Sequence, residues 1–108
     1  MSVIDEIAAE RRRQVEEEGW TAEHDDSHNL GELASAAGVY AFGAAVDDAE
    51  RGVMDDFGRS GTPHRVHRLW PWAPEWFKPT SRRRDLIKAA ALIVAEIERL
   101  DRLSAASR

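Results

Sequence analysis

The sequence predicts an all-α protein, a helical bundle of three main helices with a long proline- and tryptophan-rich connection, which dimerisation could complete. Three observations carry this. Apolar residues recur every three or four positions in three separate stretches; no stretch alternates for long enough to make a convincing strand; and all four prolines fall between residues 63 and 79. At 108 residues the chain reads as one domain, residues 1–108, with a core small enough that a partner subunit would add useful burial.

Residues 3–18 have high helix propensity and an apolar series of Ile4, Ile7, Ala8 and Val15, and Gly19 follows as a stop signal. Residues 20–27 are rich in Glu, His and Asp without apolar periodicity and read as a loop, with Ser27 and Asn29 as N-cap candidates for the next helix. That second helix is expected over residues 30–47. Its Ala34, Ala37, Ala41, Ala44 and Ala45 make a small-residue face that another helix can approach closely. Gly38 and Gly43 weaken it by about 1 kcal/mol each relative to alanine.

Residues 51–80 read as an irregular connection, because Gly52, Gly58, Gly61, Pro63, Pro71, Pro74 and Pro79 punctuate them. Trp70, Trp72, Trp76 and Phe77 within it are too much aromatic surface to leave in water, so the segment should fold back on the helices or cover a partner. The third helix is expected over residues 81–103, with Leu86, Ala90, Ile93, Ile97 and Leu100 on one face and residues 104–108 frayed.

Composition narrows the chemistry. There is no cysteine, hence no disulfide, thiolate metal site or thiol nucleophile. Residues 1–10 carry acids and no continuous apolar run, unlike a signal peptide or a membrane span, so a cytoplasmic protein without a membrane partner is expected. The net charge of -5 divides unevenly: residues 1–58 hold 15 acids and 4 bases, residues 59–108 hold 5 acids and 11 bases. The two halves should attract each other. An acidic chain binds nucleic-acid backbone poorly, although Arg59, Arg65, Arg68, Lys78 and Arg82, Arg83 and Arg84 could form a local basic patch.

Several polar residues interrupt the apolar faces. On an ideal helix Arg11 projects within about 20° of Ile4, and Gln14 and Glu18 lie beside Ile7. Burying them unpartnered would cost roughly 1–3 kcal/mol each, so they should meet complementary groups across the bundle, meet a ligand, or snorkel at the rim. His28, Glu32 and Ser35 share a face of the second helix near His24, Asp25 and Asp26. Such a cluster can hold Mg, Mn or Zn; alternatively Asp25 or Asp26 caps the second helix and the histidines pack against tryptophan. Asp85 and Glu96 share one edge of the third helix, beside Lys88. Asp85 in the first turn is equally explained by the helix dipole and by Arg82, Arg83 and Arg84. No phosphate loop, nucleophile elbow or dinucleotide fingerprint is present, so phosphate chemistry would be metal-assisted, with Lys78, Lys88 or the Arg82–Arg84 run neutralising phosphate.

Three segments, ERRRQVEEEGW at 10–20, HDDSHNLGELASAAGVYA at 24–41 and RRDLIKAAALIVAEIERLDR at 83–102, resemble phage and prophage proteins related to the amino-terminal module of dATP/dGTP diphosphohydrolase. More distantly they resemble the MazG-like all-α nucleotide pyrophosphohydrolases. The resemblance covers about half the chain. It implies a helical bundle, commonly dimeric, in which magnesium held by helix carboxylates positions water to release pyrophosphate from a nucleoside triphosphate. In that scheme Glu32 matches the acid of the second helix and Asp85 the first acid of the helix after the connection. The MazG-like pattern also places a carboxylate three residues after each, where this chain has Ser35 and Lys88. Glu18, His24, Asp25, Asp26 or His28 could supply the missing ligands, or binding is retained without catalysis.

The expectation is therefore a metal-dependent nucleoside triphosphate pyrophosphohydrolase-like protein. Glu32, Asp85 and Glu18 would be catalytic, His28, Glu32, Asp25 and Asp85 would hold Mg or Mn (Zn less readily), and Lys88, Arg84, Lys78, Arg11 and Trp76 would contact the nucleotide. The competing expectation is a non-catalytic nucleotide-binding or protein-interaction module anchored by Trp70, Trp72 and Trp76.

Overall fold

A reciprocal cap starts the first helix: Ser2 Oγ accepts the Asp5 N–H and the Asp5 carboxylate accepts the Ser2 N–H, each at 3.1 Å. The computed structural model of the chain describes residues 2–61 and 64–107; Met1, Thr62, Pro63 and Arg108, including the proline counted above as a breaker, lie outside the described residues. Helix α1 spans Val3–Glu16, and Gly19 turns the chain at φ +73°, a left-handed conformation that favours glycine. Residues 20–27, expected as a loop, contain the short helix α2, Ala22–Asp26, capped by Thr21. Helix α3, Glu32–Ala45, follows Gly31 at φ +82° and has no side-chain cap, so neither Ser27 nor Asn29 has the role expected of it.

The largest departure comes next. Residues 51–80 were expected to be irregular, yet Asp48–Ser60 is a helix, α4, capped by Asp47 and ended by Gly61 at φ +73°. Gly52 and Gly58 do not break it. A Cβ built on Gly58 would lie 2.3 Å from the Phe77 carbonyl oxygen, so this glycine serves the close approach of the tryptophan segment rather than a turn. Two 3₁₀ turns, Arg65–Leu69 and Pro74–Trp76, carry the chain to α5, Arg82–Ala106, which Ser81 caps. The helix runs past residue 103, so residues 104–106 are helical rather than frayed.

The fold is all-α, with no strand among the described residues. No helix of the described residues is long and apolar enough to cross a membrane. Helices α3 and α5 form the central pair, α1 packs along α5, and α4 and the 3₁₀ turns close the remaining side. The core joins Leu33, Ala36, Val39 and Tyr40 of α3, Met54 and Phe57 of α4, Ala89, Leu92 and Ala95 of α5, and Trp70 and Phe77 of the connection. The aromatic segment thus folds back as expected, apart from Trp76, which stays 57 % exposed.

Which faces are buried differs from expectation in three helices. On α5 the stripe of Leu86, Ile93, Ile97 and Leu100 points outward, about half exposed, while Ala89, Leu92 and Ala95 face α3. Small residues on both partners allow close approach, so the alanine edge seats better there than the bulkier stripe. On α3 Ala37 is buried, but Ala34 and Ala45 are exposed. On α1 Ile4 is 73 % exposed, whereas Glu10 and Gln14 are 2 % exposed. Polar side chains, not the apolar series, form the buried side of α1.

Candidate functional site

Where α1 meets α5, burial of charge forces a network. Glu10 accepts from both Arg13 Nε and Nη2 at 2.8 Å, from Gln14 Nε2 at 3.2 Å, and from Arg84. Burial works to raise the Glu10 pKa, but the two arginines and Gln14 outweigh it and the carboxyl is held below its ordinary value. Gln14 is left with its Oε1 buried and unpartnered. That oxygen belongs to a residue lining a small cavity of about 50 Å³, together with Arg13, Glu18, Tyr40, Lys78 and Lys88.

The small cavity shares Glu18, Trp20 and Trp76 with a larger one of about 350 Å³, whose walls add His24, His28, Trp72 and Ala73. Its aromatic groups touch in sequence. Trp20 stacks on His24 at 6.0 Å between centroids, His24 meets His28 edge-on at 4.6 Å, His28 meets Trp72 at 5.5 Å, and Trp72 returns to Trp20 at 5.8 Å. The local sequence explains the arrangement. Gly19 turns Trp20 away from α1, α2 presents His24, and the proline-punctuated connection returns Trp72 and Trp76 to the same place.

Cations stand at the narrow end. Lys78 Nζ lies 5.4 Å over the Trp76 ring. Lys88 Nζ donates to Lys78 O at 2.7 Å and lies 5.6 Å over the Tyr40 ring. Burial lowers the Lys88 pKa against the opposing pull of Asp85 and Glu10, so this ammonium is short of solvation. Tyr40 is buried, which pushes its phenol up to about 12, and its oxygen accepts the Lys78 N–H at 3.0 Å.

The expected metal set is not assembled. Asp85 is buried, with one oxygen accepting from Arg51 at 2.5 Å and the other from the Thr80 N–H at 2.9 Å. Asp25 is 0 % exposed, with Oδ2 taken by Arg11 at 2.6 Å and Oδ1 3.2 Å from His24 Nδ1. Glu32 accepts the Leu30 N–H at 2.6 Å and lies 3.0 Å from His28 Nδ1. Burial works to raise the Glu32 pKa, but His28 and the backbone donors outweigh it and hold the carboxyl low. Among the described residues no three histidine or acid side chains gather to hold a metal. Magnesium needs oxygen ligands in near-octahedral array, and the oxygens of Asp25, Glu32 and Asp85 are already accepting hydrogen bonds within the chain, so this set does not fit it.

Of the nucleotide contacts expected from sequence, Lys78, Lys88 and Trp76 do come together around the two cavities, where they are joined by Glu18, expected as a catalytic residue. Arg84 is bound to Glu10, and Arg11 to Asp25, Glu98 and the Trp20 carbonyl. The sequence reading passed over Glu10, Arg13, Trp20 and Tyr40 as site residues. Trp20 was legible, as a tryptophan directly after a helix-stopping glycine; Tyr40 was not, because nothing local distinguishes it from a core aromatic. No protein-family model, curated protein or solved structure matches the chain.

Proposed function

We propose that the chain is a nucleotide-binding module, holding a flat ring in the Trp20, Trp72, Trp76 cavity and phosphate at the Lys78 and Lys88 end. The observation that carries this reading is the joining of an aromatic cavity of about 350 Å³ to a smaller one bordered by two lysines, where Arg13 pairs with the acids Glu10 and Glu18 of the same wall. A cavity of that size is within the range that takes small ligands. Stacking on aromatic side chains recognises any nucleobase by its face, and ammonium groups complement phosphate. Binding is better supported than metal-dependent hydrolysis, because Asp85 and Asp25 are neutralised by Arg51 and Arg11.

The experiment is a thermal-shift panel of nucleoside mono-, di- and triphosphates with and without Mg or Mn, together with a pyrophosphate assay. A ligand that binds only the folded chain raises the melting temperature, by an amount set by its concentration relative to Kd. A melting temperature unmoved by every nucleotide at millimolar concentration defeats the binding reading. Pyrophosphate release above that of a Glu32→Ala control would restore the hydrolase reading.

The module further pairs with a second copy of itself. Leu86, Ala90, Ile93, Ile97 and Leu100 of α5 repeat at alternating spacings of four and three, the seam of a two-helix contact, and its large members are about half exposed. Antiparallel pairing along this stripe sets the two α5 dipoles in opposition.

A further inference from the structure

Two of the four histidines of the chain face each other. His24, in α2, and His28, four residues on, bring their Nε2 atoms to 3.3 Å. Two imidazole nitrogens bound tetrahedrally to one zinc ion at about 2.0–2.1 Å stand roughly 3.3–3.4 Å apart. The spacing between the two Nε2 atoms is therefore that of two nitrogens sharing an ion.

Each ring is also held from behind. His24 Nδ1 lies 3.2 Å from Asp25 Oδ1, and Arg11 fixes Asp25. His28 Nδ1 lies 3.0 Å from Glu32 Oε2, and the Leu30 N–H fixes the other Glu32 oxygen. A carboxylate on the second ring nitrogen is the usual support of a metal-binding histidine: it sets the tautomer and aims the other nitrogen. The alternative, a direct bond between the two Nε2 atoms, needs a third proton on the pair if both Nδ1 atoms also donate to their carboxylates. With an ion between them, each neutral ring keeps one proton, on Nδ1, and offers the Nε2 lone pair.

We propose that His24 and His28 bind a divalent transition-metal ion of the zinc class through their Nε2 atoms, with the remaining coordination positions open to the aromatic cavity. Asp25 and Glu32 then orient the ligands instead of touching the ion. Two nitrogen ligands favour zinc, cobalt, nickel or copper over magnesium. The site supplies two protein ligands rather than three, in keeping with the absence of a larger group among the described residues. Glu18, whose Oε1 accepts from Arg13 at 2.8 Å, lines the same cavity. A site so open leaves room for water or for an oxygen of a bound ligand.

The inference stands apart from nucleotide binding, because the test uses metal alone. Tag-free full-length chain is titrated with Co2+, read by visible absorption, and with Zn2+ against a chromogenic chelator. The expected result is one ion per chain, with affinity at least ten-fold weaker in both His24→Ala and His28→Ala, about ten-fold weaker in Glu32→Gln, and unchanged in His64→Gln. Circular dichroism checks that each variant is folded, and His24→Asn and His28→Asn replace any alanine variant that is not. Uptake of neither ion below millimolar concentration, or uptake that survives loss of both imidazoles, overturns the proposal. Metal uptake without any nucleotide response would sink the nucleotide reading and leave this one standing.

Discussion

At the start of α5, Arg51 donates to the Gly43 and Thr80 carbonyls and to Asp85, whose other oxygen takes the Thr80 N–H. Around the tryptophan cavity the accounting is incomplete: Gln14 keeps an unpartnered buried oxygen, Trp76 is mostly exposed, and two imidazole nitrogens face each other. Both regions bury carboxylates, and residue type alone does not tell them apart. What separates them is leftover bonding capacity beside open space. The Arg51 cluster uses its charges on one another and ties α3, α4 and α5 together. The cavity keeps donors, acceptors and ring faces in reserve.

That contrast can be broken at its strongest point. Arg51→Met leaves Asp85 buried without a counter-charge and should cost about 3–5 kcal/mol. The measurement is the denaturant midpoint at unchanged m-value, and Asp85→Asn in the same chain should return part of the loss. A shift under 1 kcal/mol would mean the clamp is not what holds the three helices.

His67 sharpens the comparison with a buried ring that is only half satisfied, its Nδ1 accepting the His64 N–H at 3.2 Å. Its ring stacks on Phe57 at 3.5 Å, and its Nε2 is buried without a partner. Burial, aided by His64, lowers its pKa to about 4 from the ordinary 6.5. The unfolded chain then binds a proton that the folded chain refuses, so this stability is fully present above pH 6.5 and is lost as pH falls toward 4. The loss should be on the order of 2 kcal/mol. His67→Leu should flatten that part of a stability-against-pH profile; an unchanged slope between pH 6.5 and 4 would refute the assignment.

At the cavity, Trp72→Ala should weaken any nucleotide found in the thermal-shift panel by about ten-fold or more, through loss of one stacking face. Titration calorimetry reads this directly, and equal affinity in the variant would move the binding site elsewhere. The smallest effect on stability is expected on the outer face of α5. Ile97 is 52 % exposed, so Ile97→Glu should alter monomer stability by about 0.5 kcal/mol or less while abolishing self-association in sedimentation velocity. A wild-type chain that sediments as a monomer at every concentration would remove the second copy from the account.

Local chemistry settled much of the architecture in advance. The Gly19 stop and the three periodic stretches mark α1, α3 and α5 because stop signals and apolar repeats act over one or two turns. Helix α4 escaped because its two interior glycines resemble breakers, and what explains Gly58 is the Phe77 carbonyl oxygen, distant in sequence but 2.3 Å from where a Cβ would stand. Lys78, Lys88 and Trp76 were legible as candidate ligand contacts and Glu18 as a polar residue in want of a partner, though not as one place.

The sequence by itself determined that the chain is helical and where three of its helices lie, since propensity and periodicity are properties of neighbours along the chain. Only the tertiary structure decided which edge of α5 is covered and which arginine neutralises which carboxylate. Those outcomes depend on how closely two surfaces approach and on which charges lose water together, and both are set by residues far apart in the chain.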